Sequence, residues 1–427
     1  MEVGIFKGLL GRLGVGRLGR NALLSTIGLA IRAVVQAGYL LVLSHWMGAS
    51  GYGLFAGSVA AATLISPLSG WGIAVVLTQR VARTPSESKG AWAEAILQVL
   101  TTGTALVCLL MLGVSLVLPG HIDYPSMGLL ALSELVALPL AQVATGLCIA
   151  LDRGAAGAVC MCLVPVSRLL CVVAGLLLGV EGTPTHVARL HFGGSVIGAL
   201  VAYGVIVSIS GLPSWRRRLP MRATLRDGSR YAVGNLVSTS YLEVDKVLLL
   251  QMLGATVAGT YTAAFRVMSV FVLPVSALIG AALPRLFAQH GSPAGSRTLI
   301  IVTLSGLGYA VMAALLAVLV SPWMPRVFGA SFEESSHYLL LLAPWTVLYA
   351  LHQAAATGLT AFDRQMSRVC IEALGFVLII VLNLLLDSRM GAAGAAWSLL
   401  ATEVFMAGCC WWFLRKANLS PPRPVQG

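Results

Sequence analysis

Runs of about 20 or more predominantly apolar residues follow one another almost without interruption, and they restrict what this chain can fold into. A helix of about 20 residues crosses the roughly 30 Å hydrocarbon core of a bilayer, where every backbone polar group must be satisfied internally. Twelve such runs occur, at about 22–46, 54–79, 91–118, 126–150, 156–179, 186–210, 231–253, 258–284, 297–320, 336–360, 367–386 and 391–413. With 58% hydrophobic and 10% charged residues and a mean hydropathy of +0.88, the chain is far from the about 25% charge of soluble domains. The expected fold class is an all-α polytopic membrane protein of about 12 transmembrane helices. The first run follows a basic, glycine-rich arm and is too long for a signal-peptide core, so it is expected to be retained as a span.

The +12 net charge is explained by topology. With the N-terminus in the cytoplasm, Lys7, Arg12, Arg17 and Arg20 fall inside, as do Arg80, Arg83, Lys89 and Arg153. The run Arg216, Arg217, Arg218, Arg222, Arg226 and Arg230 falls there too, followed by Arg285, Arg297, Arg364, Arg368, Arg415, Lys416 and Arg423. Exterior loops keep only Arg326 and Arg389. The positive-inside rule then places both termini in the cytoplasm. No aromatic platform or nucleic-acid motif accompanies the basic residues, so no nucleic-acid partner is expected. The arm instead suits anionic headgroups of membrane lipids.

The chain also repeats itself. Residues 47–57 (MGASGYGLFAG) return at 253–264, pairing Gly48 with Gly254, Gly53 with Gly259 and Phe55 with Tyr261, while Pro67 is answered by Pro274 one residue out of register. The segment from Ala144 to Arg153 returns from Ala356 to Arg364 with one residue deleted. Both matches join corresponding span pairs, so the expected organisation is a six-helix bundle at 1–210, a basic cytoplasmic linker at 211–230 and a second six-helix bundle at 231–427. Six spans per half make the repeat parallel.

Charges inside apolar runs are expensive and need an interior partner or a wet cavity. Arg32, Glu134, Arg168, Glu243, Asp245, Lys246 and Arg266 stand there; Arg189, near an exterior end, can snorkel. On one helix, Asn235, Thr239, Glu243 and Lys246 share a quarter of the wheel, with Ser238 and Asp245 beside them. Two readings remain open: a Glu243–Lys246 pair at i,i+3 that neutralises itself, or a polar lining of a cavity. Glu134 and Arg168 likewise fit either an interior pair or a substrate site. Prolines at 67, 139, 165, 274 and 344 are expected to bend spans, and Gly194 and Gly198 to bring helices close.

Other chemistries find little support. All eight cysteines lie in apolar runs and seven scattered histidines show no HxxxH or CxxC spacing, so no disulfide framework, metal or cofactor is expected. Gly14, Gly16 and Gly19 fit GxGxxG without a preceding strand, and no phosphate-binding lysine motif occurs. Asp152-Arg153 and Asp363-Arg364 read as repeat-related loop anchors or charge pairs, not catalysts. The longest exterior loop, 321–335, is short for the reaction site of a membrane polymerase or ligase of lipid-linked glycans.

Residues 47–53 (MGASGYG) together with 244–266 (VDKVLLLQMLGATVAGTYTAAFR) resemble the polysaccharide-biosynthesis flippases of the MOP exporter superfamily, and the likeness covers nearly the whole chain. The resemblance implies a MATE-like, V-shaped transporter, not an enzyme, in the bacterial inner membrane, moving undecaprenyl-diphosphate-linked oligosaccharide repeat units by alternating access. It implies partners in the lipid-linked oligosaccharide, membrane lipids and other glycan-assembly membrane proteins. A diphosphate is expected to meet a cationic cavity of Arg32 and Arg266, with Lys246 and Arg168 in support, and Asp245, Glu243 and Glu134 as ion-coupling or cavity carboxylates. A cation-coupled small-molecule exporter of the same superfamily is the alternative.

Overall fold

The structure, a computed structural model of the chain, describes residues 17–117, 123–217, 221–289 and 292–418. The basic arm at 1–16, Arg218 in the linker, the exterior turn at Gly120 and Arg423 lie outside the described residues. Among the described residues every regular element is helical. They pack as two compact units: 17–43, 62–116 and 123–236 form the first, 44–61 and 237–418 the second. Division by packing thus differs from division by repeat, because residues 44–61 of the first half belong to the second unit.

The helices of the first half are α1 (Arg17–Ile65), α2 (Ile73–Arg83), α3 (Ser88–Val117), α4 (Tyr124–Leu132), α5 (Leu138–Ala150), α6 (Gly154–Leu177) and α7 (Pro184–Ser210). Gly48 breaks α1 with φ 66° and ψ 179°, a conformation that excludes a side chain. Between α1 and α2 the chain unwinds at Pro67 and passes through positive φ at Gly70, Trp71 and Gly72. A π turn at Ser133–Ala137 separates α4 from α5, and the Ser69 hydroxyl donates to its Leu135 carbonyl. In this unit α6 and α7 touch almost backbone to backbone: a Cβ on Gly194 would lie 2.6 Å from Arg168 Cα, and one on Gly198 2.7 Å from Val164 Cα. The expected small-residue contact is therefore present, and it sets Arg168 beside the last helix of its half.

The second half holds α8 (Met221–Ser240), α9 (Val244–Leu253), α10 (Ala255–Phe271), α11 (Leu273–Ala288), α12 (Pro293–Val320), α13 (Met324–Phe328), α14 (Ser335–Leu342), α15 (Trp345–Ala361), α16 (Gln365–Met390) and α17 (Ala392–Asn418). Part of the stretch expected as a linker is helical, since α8 begins at Met221. The repeat is visible in backbone geometry. Gly254 takes φ 87° and ψ 177°, matching Gly48, and Asp152 and Asp363 both adopt φ 56°. Around each aspartate a helix end closes identically, Arg153 N–H on Cys148 O and Arg364 N–H on Leu359 O.

Residues 44–61 cross α10 inside the second unit through the two repeat-matched glycines. A Cβ on Gly53 would sit 2.7 Å from Gly259 N and closer still to Ala255 O, and one on Gly259 would strike Ala49 O.

Nine helices among the described residues are long and apolar enough to cross a bilayer, ten if the pair Ala330–Leu342 and Trp345–Ala361, bent by 47°, is one span. The first two expected runs are fused in the stretch Thr26–Arg83, and the tenth is the bent pair with Pro344 at its corner. The seventh, 231–253, is no continuous helix: a turn at 241–243 divides α8 from α9 where Glu243, Asp245 and Lys246 crowd together.

Candidate functional site

Each unit carries a buried polar constellation. In the first, the π turn presents the carboxylate of Glu134, a local geometry often found at functional sites. Its Oε1 receives Arg168 Nη2 at 2.7 Å, off the axis of a hydrogen bond and so chiefly Coulombic, and His191 Nε2 at 2.9 Å. An ionised carboxylate only accepts, so His191 donates from Nε2 and its Nδ1 accepts the Tyr39 hydroxyl at 2.8 Å. Arg168 Nε donates to Ser195 Oγ at 2.8 Å, and that hydroxyl donates to His191 O. Glu134 and Arg168 thus form the interior pair that was one of their two readings. Arg32 is half-buried on α1 and feels both Glu134 and Arg168 electrostatically. Among the described residues no carboxylate lies within ion-pair distance of it. Its planar fork suits bidentate capture of phosphate oxygens.

In the second unit the break at 241–243 reorganises the charges expected on one wheel. Glu243 does not pair with Lys246. With the helix interrupted, the i,i+3 geometry is lost, and Glu243 instead takes Arg266 in a two-pronged contact, 3.0 Å on each oxygen. Arg266 keeps 34% of its side chain exposed and lies against the Tyr52 hydroxyl. Lys246, fully buried, binds its neighbour Asp245 at 2.8 Å, donates to Leu242 O, and sits 3.2 Å above the Phe265 ring. Tyr261 closes the other oxygen of Asp245 at 2.8 Å. Asp245 and Lys246 are therefore a sealed pair, whereas Arg266 offers an open edge.

Several residues were not singled out from sequence. On α16, Asp387 is buried with neither carboxylate oxygen hydrogen-bonded, one turn from Asn383, whose Oδ1 is also unpartnered, and Ser398 Oγ on the adjoining α17 has no partner either. Asp387 lies within electrostatic reach of Asp245. Such hard oxygens suit a small cation. Glu403 on α17 accepts from Tyr241, Trp345 and His352, and Glu372 from Ser238 and Arg368. The Asn383/Asp387 spacing of i,i+4 was a usable signal. All eight cysteines are free thiols.

A family model described as polysaccharide biosynthesis protein matches residues 18–290. No curated protein matches the sequence. Among solved structures, an inward-facing multidrug resistance MATE family transporter of the MOP superfamily superposes with TM-score 0.74 at 13% identity, over 92% of this chain and 98% of that one. The lipid II flippase MurJ in an inward closed conformation gives TM-score 0.74 at 11% identity, over 93% and 89%. A MOP superfamily transporter from Pyrococcus furiosus gives 0.66 at 14%, over 94% and 95%. The fold is the one these transporters share.

Proposed function

Because the chain belongs to the polysaccharide biosynthesis protein family, we propose that it is a flippase moving undecaprenyl-diphosphate-linked oligosaccharide repeat units across the bacterial inner membrane by alternating access, for O-antigen, capsule or exopolysaccharide assembly. The observation that carries this reading is Arg32, a half-buried intramembrane guanidinium with no carboxylate within ion-pair distance among the described residues. A cation in a span is costly, and a ligand that brings about two negative charges through hydrocarbon gives that cost a use. Arg266, in the second unit, is paired with Glu243 and keeps an open edge of its own that suits an anion. Glu134, Arg168, Asp245 and Lys246 hold these helices in place rather than touching the glycan.

The test is flipping of a fluorescent undecaprenyl-diphosphate oligosaccharide by the full chain in proteoliposomes. Arg32→Ala should lower the rate by at least about tenfold at normal insertion, and Arg32→Lys should restore little, because a point charge does not reproduce the fork. Wild-type flipping by Arg32→Ala would end this assignment. A second reading, a cation-coupled small-molecule exporter, is favoured by the unpartnered Asp387 carboxylate. Export of a lipophilic organic cation such as tetraphenylphosphonium, with no flipping of the lipid-linked glycan, would select it.

A further inference from the structure

Glu403 and His352 are both 0% exposed, on α17 and α15 of the second unit. Glu403 Oε1 receives the Tyr241 hydroxyl at 3.2 Å and the Trp345 indole N–H at 3.1 Å; Oε2 faces His352 Nδ1 at 2.9 Å. An ionised carboxylate has only acceptors, so His352 must donate from Nδ1, which leaves Nε2 as the ring's remaining proton-accepting atom. Among the described residues that buried Nε2 has no hydrogen-bond partner. With a neutral imidazole the pair carries a net charge of −1 in an enclosed site; with one further proton it is an ion pair of net charge zero.

The surrounding groups do not supply that missing charge. On α16, Arg368 is bound to Glu372 at 2.7 Å, and Glu372 also takes Ser238 from α8. On α15, Tyr349 meets Ser276 of α11, and Thr346 bonds to Ala310 O of α12. On α17, Cys410 is a buried thiol, and Tyr241 stacks edge-on to the imidazole with centroids 6.4 Å apart.

The first unit holds the counterpart. There the sixth span carries the histidine and the fourth the carboxylate; here the sixth carries Glu403 and the fourth His352. His191 and Glu403 stand on corresponding spans, and each also meets a tyrosine, Tyr39 or Tyr241. The difference is Arg168, which gives Glu134 a permanent positive charge. Among the described residues the imidazole is the one basic group bonded to Glu403.

We propose that the His352–Glu403 pair is a proton-binding site, where His352 Nε2 takes up one proton and returns it to water. The proton adds to the Nε2 lone pair, the imidazolium keeps Nδ1–H on Glu403, and release restores the neutral ring. Because both side chains are wholly enclosed, exchange with water requires α15 and α17 to part, so proton occupancy and conformation are linked. That the proton drives export rests on the transport reading; that it binds does not.

The experiment labels the histidines of the full chain with ¹⁵N in the imidazole ring and follows them in lipid nanodiscs from pH 5 to pH 9. One resonance is expected to pass from imidazolium to neutral imidazole, to vanish in His352→Gln, and in Glu403→Gln to show at least tenfold weaker proton affinity. If His352→Gln does not insert, the shift in Glu403→Gln alone identifies the resonance. A His352 that keeps one protonation state throughout, or titrates unchanged in Glu403→Gln, overturns the proposal. In proteoliposomes, a His352→Gln protein that flips glycan but ignores an imposed pH gradient ties the site to drive. A histidine that titrates in a protein that flips no lipid-linked glycan would leave the proton site standing and the flippase reading refuted.

Discussion

Replacing Glu134 by Gln should be far more damaging than removing Glu134 and Arg168 together. The two are 2.7 Å apart, with 5% and 13% of their side chains exposed, so screening by water removes little of the interaction. At an effective dielectric constant of about 20, unit charges about 4 Å apart attract by about 4 kcal/mol. Breaking a buried pair from one side costs about 3–5 kcal/mol because the surviving charge is stranded. Glu134→Gln should therefore lower stability by about 3 kcal/mol, a shift of more than a hundredfold in the unfolding equilibrium. The double variant Glu134→Gln with Arg168→Met strands no charge. It should cost only about 1–2 kcal/mol, from the hydrogen bond that Ser195 loses and the charge assistance that His191 loses, since the amide oxygen of the introduced glutamine still accepts. Equilibrium unfolding of the full chain in mixed micelles, read through a double-mutant cycle, measures both. A single variant within about 1 kcal/mol of wild type, or a double variant no better than the single, would refute the reasoning.

The cap of α4 gives a pH-dependent expectation outside the spans. Burial opposes ionisation of Asp123, but hydrogen bonds from Thr185 Oγ1 at 2.8 Å and from Ser126 Oγ and N–H at 2.9 and 3.1 Å prevail and hold its carboxyl below the usual range. A lowered folded-state pKa means that the cap's contribution is complete above the ordinary aspartate range and is lost as pH falls below about 4. Hydrogen exchange at Ser126 and Met127 should accelerate there, and at neutral pH in Asp123→Ala, which should cost about 1 kcal/mol; unchanged protection in that variant would contradict it. Reporter fusions after Arg230 and at the C-terminus should report cytoplasm, and fusions near Gly120, Glu181 and Ser331 the opposite side. An exterior signal at the 216–218 run would overturn the topology.

The membrane-spanning fold class and the repeat were legible because both are one-dimensional signals: apolar length reports a bilayer crossing, and Gly48/Gly254 or Asp152/Asp363 report backbone conformations that few residues adopt. The pairing of intramembrane charges was not. A helical wheel for 231–253 assumes an unbroken helix, and the turn at 241–243 sends Glu243 to Arg266 and leaves Lys246 to Asp245. Nothing local announces that turn; it is set by where tertiary partners stand. His191 and His352 show no local pattern, because each answers a carboxylate about 50 residues away in sequence.

Residues 44–61 are synthesised long before the helix they pack against. Gly53 leaves the ribosome 206 residues ahead of Gly259, a wait of about 10–40 s at about 5–20 residues per second. Throughout it, a helix inserted among the first spans presents a bare glycine face to lipid with its mate not yet made. A chain cut short before α10 would therefore be marked as incomplete near its beginning rather than at its broken end. Any membrane surveillance that senses exposed small-residue faces would find a truncated product there first.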